Sequence, residues 1–371
     1  MRLAINGRLT NEPAVRAGFI GCGSHAFRNV YPALQFAPVD LVCVCDLVLE
    51  RAEGYARRFG AERAYQSHRE MLEHEKLDAV FIVTNYDDAG RPRYPALASD
   101  CLEAGCHAWI EKPPAACCSD IDRMRKAAAT ANRHVAVGFK KMFVPANEKA
   151  KELMDQADFG NPSLLTLQYP QSLPTVDELE RYLAGERVDA AVGFLDHLCH
   201  PASLLIYLAG LPHTLCYERS LRGGVATFTF ASGLVASLAF TGGAPSNGGL
   251  ERTLVVSDRG RRILVEDNLR VSYERDPPGL RYGESPSFYT GSINETTASW
   301  EPEHSLGQLY NKGLFVLGYY REIDEFCRAV LQGRPPIKGT LDDAWHVTQI
   351  FETFAKGPST THYLQRNPHA P

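Results

Sequence analysis

Three separated stretches hold side chains whose types and spacing could do chemistry. The first, "GFIGCGSHAFRNVYPAL" at 18–34, places Gly21, Gly23 and Ala26 in a G-x-G-x-x-A turn. Such a turn, set between a strand and a helix, brings backbone N–H groups and the positive end of the helix to a diphosphate. Asp46 follows 25 residues after Gly21, where an acidic side chain accepts hydrogen bonds from ribose hydroxyls. The second stretch, "WIEKPPA" at 109–115, delivers Glu111 and Lys112 into a turn fixed by Pro113. The third, "VGFLDHLCHPASLLIYLAG" at 192–210, sets Asp196 and His200 four apart on one face of a helix.

Together these groups could bind a dinucleotide and supply acid–base chemistry beside it. His200, with an ordinary pKa of about 6.5, would take a hydroxyl proton. Asp196 would orient the imidazole and make it more basic, or bond the substrate. Lys112 would stabilise negative charge developing on the reacting oxygen. His197 adjoins Asp196 but points about 100° away on a helix, so His200 is preferred as the base. The expected cofactor contacts are Gly21, Gly23, Ser24, His25, Ala26, Asp46, Arg51, Thr84, Asn85, Glu111 and Lys112. Asp46 would repel a 2′-phosphate, which favours NAD; Arg51 nearby could offset that repulsion, so NADP stays open. The expected substrate contacts are Lys112, Lys141, Tyr169, Asp196 and His200. Blander readings stand beside these: a surface ion pair for Glu111 and Lys112, a solvated Lys141, core packing for Tyr169, and a helix-start aspartate with a packed histidine for Asp196 and His200.

The elements that must position these groups follow from the apolar pattern. From Val15 to Lys140, buried strand-like runs alternate with amphipathic helices, and Ser119 is placed to cap the helix "SDIDRMRKAAATANR". That alternation predicts a parallel sheet covered on both faces. After Gly160-Asn161-Pro162 the rhythm changes to strand-like segments with little helix between them, hairpin turns falling at "FASGLV" and "SDRGRR". Asp276 to about Tyr310 is rich in Pro, Gly, Ser and Tyr, the composition of a lid or a subunit contact. Two helices follow, "GYYREIDEFCRAVLQG" and "TLDDAWHVTQIFETFA". The predicted fold class is α/β. A Rossmann dinucleotide-binding domain covers 1–140. An α+β domain with an open, mainly antiparallel sheet covers 141–371, and its last helices are free to pack back on the first domain.

Composition narrows the partners. A net charge of -5 over 371 residues gives no electrostatic case for nucleic acid or an anionic membrane. No run approaches the ~20 apolar residues of a membrane span. "MRLAINGRLTNEPAV" lacks a secretory apolar core and cleavage site. The ten cysteines lack zinc-site spacing, so reduced thiols in a cytoplasmic protein, and no metal, are expected.

The glycine turn, Asp46, Val83-Thr84, "AGCHAWIEKP" and the Asp-x-x-x-His helix occur in an order and at separations that resemble the glucose–fructose oxidoreductase / inositol dehydrogenase (Gfo/Idh/MocA) family. The resemblance runs from about residue 15 to 356. It implies NAD(P)-dependent oxidation or reduction of sugars, cyclitols and their derivatives, and a homodimer or homotetramer formed through the C-terminal sheet. It also implies that Lys112 lies near both substrate and nicotinamide, and that Asp196 and His200 are the family's acid–histidine pair. Several positions depart from the family pattern. Tyr94 stands in a histidine slot, and "NYDDAGRPR" is longer than usual. Ser203 replaces an aspartate, Gly193 stands alone where glycines are paired, and Lys140 and Lys141 stand where an arginine is common. The alternative is an NAD-dependent glycosidase or lyase that oxidises the sugar transiently and keeps its cofactor. A non-enzymatic sensor is disfavoured, because Lys112, Asp196 and His200 are all retained.

Overall fold

The protein is described from a computed structural model covering residues 13–242, 251–275, 297–302 and 312–367. Most of the N-terminal stretch read for a leader, and most of the 276–310 loop, lie outside the described residues.

The first half builds a six-stranded sheet. Its strands are β1 (Val15–Ile20), β2 (Val39–Cys45), β3 (Arg63–Tyr65), β4 (Ala79–Ile82), β5 (His107–Ile110) and β6 (Val135–Val137). They lie in the order β3-β2-β1-β4-β5-β6, and every pair is parallel. That is the doubly wound order, and its switch point lies between β1 and β4. The helices are α1 (Tyr31–Leu34, continuing a π-helical turn at Ala26–Val30), α2 (Leu49–Phe59), α3 (His68–His74), α4 (Tyr94–Glu103) and α5 (Cys118–Ala131). Successive strand residues face opposite sides of the sheet. Val80 and Ile82 join the core shared with α4 and α5, while Phe81 and Val83 join the core on the side of α1 and α2.

The second half builds a nine-stranded sheet flanked by helices. In chain order come α6 (Pro145–Met154), β7 (Pro162–Tyr169), α7 (Val176–Leu183), α8 (Asp189–Ala209), β8 (Thr214–Arg219), β9 (Gly224–Thr229) and β10 (Val235–Phe240). Then follow β11 (Arg252–Ser257), β12 (Arg262–Glu266), β13 (Arg270–Glu274), β14 (Thr297–Trp300), α9 (Lys312–Val316), α10 (Tyr319–Gln332), α11 (Leu341–Phe354) and β15 (His362–Tyr363). The sheet order is β14-β13-β12-β11-β7-β10-β9-β8-β15. All pairs are antiparallel except β7 with β10. One face alternates into the core; the other carries Leu164, Val225 and Val235, each at least 39% exposed.

Two expectations need correction. Ser119 does not cap α5: the helix starts at Cys118, and the Ser119 hydroxyl lies 3.1 Å from Cys117 Sγ. A tertiary partner takes over the helix start, since Glu352 of α11 accepts from the Cys118 N–H at 3.0 Å. The second half also holds more helix than its pattern suggested. α7 opens on a Thr175–Glu178 capping box.

α8 is long and apolar enough to cross a membrane, but 72% of that stretch is buried inside the protein. α10 leaves the second half and packs on the first, placing Phe326 edge-on to Phe81 at 5.6 Å. This return brings the C-terminal part of the chain to the strand ends where the candidate residues gather.

Candidate active site

The glycine turn leaves β1 with geometry that glycine alone satisfies. Gly21 has φ +106°, and a Cβ there would lie 1.9 Å from the Val83 carbonyl oxygen at the end of β4. A Cβ on Gly23 would meet nothing within 4 Å, so this turn keeps an open approach. Ser24 and His25 open the following helix, and Ala26 is fully buried beneath it. Asp46 stiffens the turn. Its Oδ2 accepts from the Cys22 N–H at 2.8 Å, its Oδ1 accepts from the Val48 N–H at 3.0 Å, and Arg51 lies 3.5 Å away. A carboxylate has about four acceptor positions, so capacity remains for a ribose. The Thr84 hydroxyl at the end of β4 is buried with no partner among the described residues, and Asn85 beside it is exposed. An open turn, a helix N-terminus, an acid at the end of β2 and an orphaned hydroxyl fit a dinucleotide.

Glu111 and Lys112 emerge from β5. Glu111 is 3% exposed. Its Oε1 accepts from His25 Nε2 at 2.9 Å and its Oε2 accepts from the Lys112 N–H at 2.9 Å. Burial pushes the Glu111 carboxyl up, but His25 and Lys112 outweigh it and hold the group below its ordinary value. Asn29 Nδ2 lies 3.2 Å from His25 Nδ1 on the other side of the ring. The glycine turn and the end of β5 are thereby tied together.

Lys112 Nζ crosses to the second half and donates to Asp196 Oδ1 at 2.8 Å. Burial opposes charge on both partners, yet each favours the other's charged form. The Lys112 ammonium is held above its ordinary value and the Asp196 carboxyl below its own. His200, one turn further along α8, is half-buried, with its ring 6.3 Å from the Tyr169 ring. The expectation that Asp196 makes His200 more basic is corrected. Asp196 Oδ1 is taken by Lys112 and by Tyr86, whose hydroxyl donates at 2.7 Å. Burial first, and then Lys112, Lys140 and Lys141, push the His200 imidazole well below its ordinary value. His200 is therefore held neutral. His197 is exposed, bonds the Gly193 carbonyl oxygen, and lies 3.8 Å from Asp196 Oδ2.

Lys141 is 5% exposed and its Nζ donates to Glu251, which also accepts from Asn268. Its ammonium lies 5.9 Å from the Tyr169 ring centre, and Lys141, Tyr169 and His200 line one recess. Trp300 stands apart on edge strand β14, with Lys149 over its ring.

Sequence reasoning missed three neighbours of this centre, Tyr86, Tyr319 and Glu322, and named a fourth, Lys140, only as a departure from the family pattern. Tyr86 belongs to the long "NYDDAGRPR" segment, whose length was the available signal. Lys140 Nζ donates to the Tyr319 hydroxyl at 3.1 Å, and burial, then Lys141, lower its ammonium to about 8. Tyr319 and Glu322 come from α10, and only the return of that helix places them here. Tyr94, which opens α4, is buried and donates to the Thr84 carbonyl oxygen.

Residues 15–139 match the profile of an oxidoreductase family with an NAD-binding Rossmann fold, GFO_IDH_MocA. The myo-inositol 2-dehydrogenase of Thermotoga maritima is 22% identical over 330 residues, covering 87% of this chain and 90% of that protein. The scyllo-inositol 2-dehydrogenase (NAD(+)) of Bacillus subtilis is 30% identical over 152 residues, spanning 41% of this chain and 43% of that protein. Among solved structures, a dehydrogenase from Chromobacterium violaceum superposes with TM-score 0.75 at 19% identity, over 94% of this chain and 96% of that one. An oxidoreductase from Agrobacterium radiobacter gives 0.73 at 15% identity, over 94% and 98%. These structural likenesses concern the fold. Residues 15–139 match the NAD-binding Rossmann domain of the Gfo/Idh/MocA oxidoreductase family, and along most of its length the chain is similar to a named dehydrogenase.

Proposed function

We propose that the protein transfers hydride between a nicotinamide cofactor and a secondary alcohol of a sugar, cyclitol or sugar derivative, with Lys112 and His200 as the acid–base groups. The observation that carries this reading is the 2.8 Å contact between Lys112, at the end of the Rossmann sheet, and Asp196, one turn before a neutral His200 on α8. Bound NAD supplies the hydride acceptor for alcohol oxidation and, once reduced, the donor for the reverse. The chain's residues handle the proton. Lys112 spends one N–H on Asp196 and keeps two for a reacting oxygen. Its positive charge stabilises the alkoxide-like oxygen in a water-poor cleft. His200, kept neutral by its surroundings, accepts the hydroxyl proton and returns it in the reduction direction. The inositol dehydrogenases among the relatives support a polyhydroxylated substrate. Asp46 supports NAD over NADP.

Stoichiometry tests this reading. Purified protein, given NAD and a panel of cyclitols, sugars and glycosides, forms NADH in step with oxidised product. Product without net NADH, from tightly held nucleotide, would replace the reading with the glycosidase or lyase cycle.

A second copy of this chain is proposed to cover the open sheet face. Val256, Leu164 and Val235 stand side by side in register across β11, β7 and β10. This apolar row crosses the centre of the sheet, on the face opposite the core.

A further inference from the structure

The segment between β4 and α4 is a strap that belongs to the first sheet and docks on the second domain. Tyr86 and Pro92 close it as an isolated bridge, and Asp87 Oδ1 accepts from the Arg91 N–H at 2.7 Å. The Arg91 guanidinium donates to the carbonyl oxygens of Tyr182 and Leu183, at 3.3 and 3.1 Å, at the end of α7. The Tyr182 hydroxyl donates back to the Gly90 carbonyl oxygen at 3.1 Å. Gly90 has φ +75°, and a Cβ there would strike Val192 of α8 at 2.5 Å. The strap is thus held on α7 and α8, the helix that carries Asp196.

We infer that Tyr86 is a positioning residue of the acid–base centre: its hydroxyl, presented by the docked strap, fixes Asp196 Oδ1 against Lys112 and leaves Oδ2 to accept from a substrate hydroxyl. The inference rests on the reading given under Proposed function. Two donors on one carboxylate oxygen, at 2.7 and 2.8 Å, set the plane of the carboxylate. The partner left at Oδ2 among the described residues is His197 at 3.8 Å, beyond hydrogen-bond reach. Burial, then Asp196, push the Tyr86 phenol far up, so it stays a donor throughout the working range. The other titratable groups around Asp196 are Lys112 from the end of β5, Tyr94 of α4, Tyr169 of β7, Tyr319 of α10, and His197 and Cys199 on its own helix. Of these, Lys112 also donates to it; Tyr94 and Tyr319 hold hydrogen bonds elsewhere.

Tyr86→Phe keeps the ring and its packing and removes only the donor. The direct readout is the titration of the Asp196 carboxyl carbon in protein labelled with [γ-13C]aspartate, assigned by Asp196→Asn. Loss of one hydrogen bond to the charged form is expected to raise its pKa by about one unit. Arg91→Met, which loosens the strap from α7, is expected to move it the same way. In steady state, the acid limb of kcat/KM rises with it and kcat/KM falls about tenfold, while NADH affinity is unchanged. An Asp196 carbon that titrates identically in wild type, Tyr86→Phe and Arg91→Met would overturn the inference. A packing role alone would disturb Tyr86→Ala and spare Tyr86→Phe. If no polyol reduces NAD in the wild type, the proposed function fails, and the carbon titration still decides the role of Tyr86.

Discussion

Glu322, in the first turn of α10, is 2% exposed, and neither carboxyl oxygen has a partner among the described residues. Burial, then Glu111, push its carboxyl well above the ordinary value, and Lys140 offsets this only in part. A raised folded-state pKa means that the native state binds this proton more tightly than the unfolded chain. Its contribution to stability is therefore fully present below the unfolded pKa of about 4.3 and is lost as pH rises. Glu322→Gln escapes that loss. Denaturant unfolding at several pH values should show the variant matching wild type near pH 4, then gaining up to about 1.4 kcal/mol per pH unit until the native carboxyl ionises. Parallel stability curves would contradict the assignment. Single residues were legible in the sequence only where a motif carried them. Lys112 follows an apolar strand and Asp196 shares a helix face with His200, so both could be named, although α8 starts at Asp189 and Asp196 is not the helix-start aspartate of the blander reading. Tyr86, Lys140, Tyr319 and Glu322 acquire meaning from contacts between distant segments, which no local spacing encodes.

At the scale of elements, the β1–α1 turn was the most legible feature, because it is local. Strand, glycine pair, helix and following acid all lie within 15–46, and backbone geometry demands them. Gly21→Ala puts a methyl against the Val83 carbonyl oxygen at a φ of +106°. It is expected to weaken NADH binding, read by fluorescence titration, at least about tenfold, and to destabilise the fold by roughly 1–3 kcal/mol. Gly54→Ala is the control. It lies inside α2 with nothing within 4 Å of a Cβ, and should stabilise by about 0.5–1 kcal/mol with binding intact. Equal effects of the two substitutions would remove the turn's special role. The helices of the second half were less legible. The start of α5 shows why: Glu352, from the far end of the chain, does the work expected of Ser119. The strap was visible as an unusual length of sequence, but its docking on α7 was not, since that depends on carbonyl groups at a helix end.

At the scale of the whole molecule, the alternation of strands and helices announced the parallel sheet, and the later run of strands announced the second one. The return of α10 to the first sheet was left open by the sequence, because the apolar face of a helix does not say which surface covers it. The exposed face carrying Leu164, Val225 and Val235 sets the prediction at this scale. Leu164→Lys with Val225→Lys should lower the mass seen in sedimentation velocity to that of the 41.0 kDa chain, with NADH binding retained. A wild-type protein that sediments as a monomer would end the proposal of self-association. The account as a whole holds that an ammonium from the Rossmann sheet and an acid–histidine helix from the second domain meet to move the proton that accompanies hydride transfer. The most direct measurement is the growth of the NADH absorbance band when NAD and a panel of cyclitols and sugars are mixed with wild-type protein and with Lys112→Met. The account predicts growth with at least one polyol, about 10²–10⁴-fold slower in Lys112→Met with NAD at saturation. Growth at the wild-type rate without the lysine would contradict it.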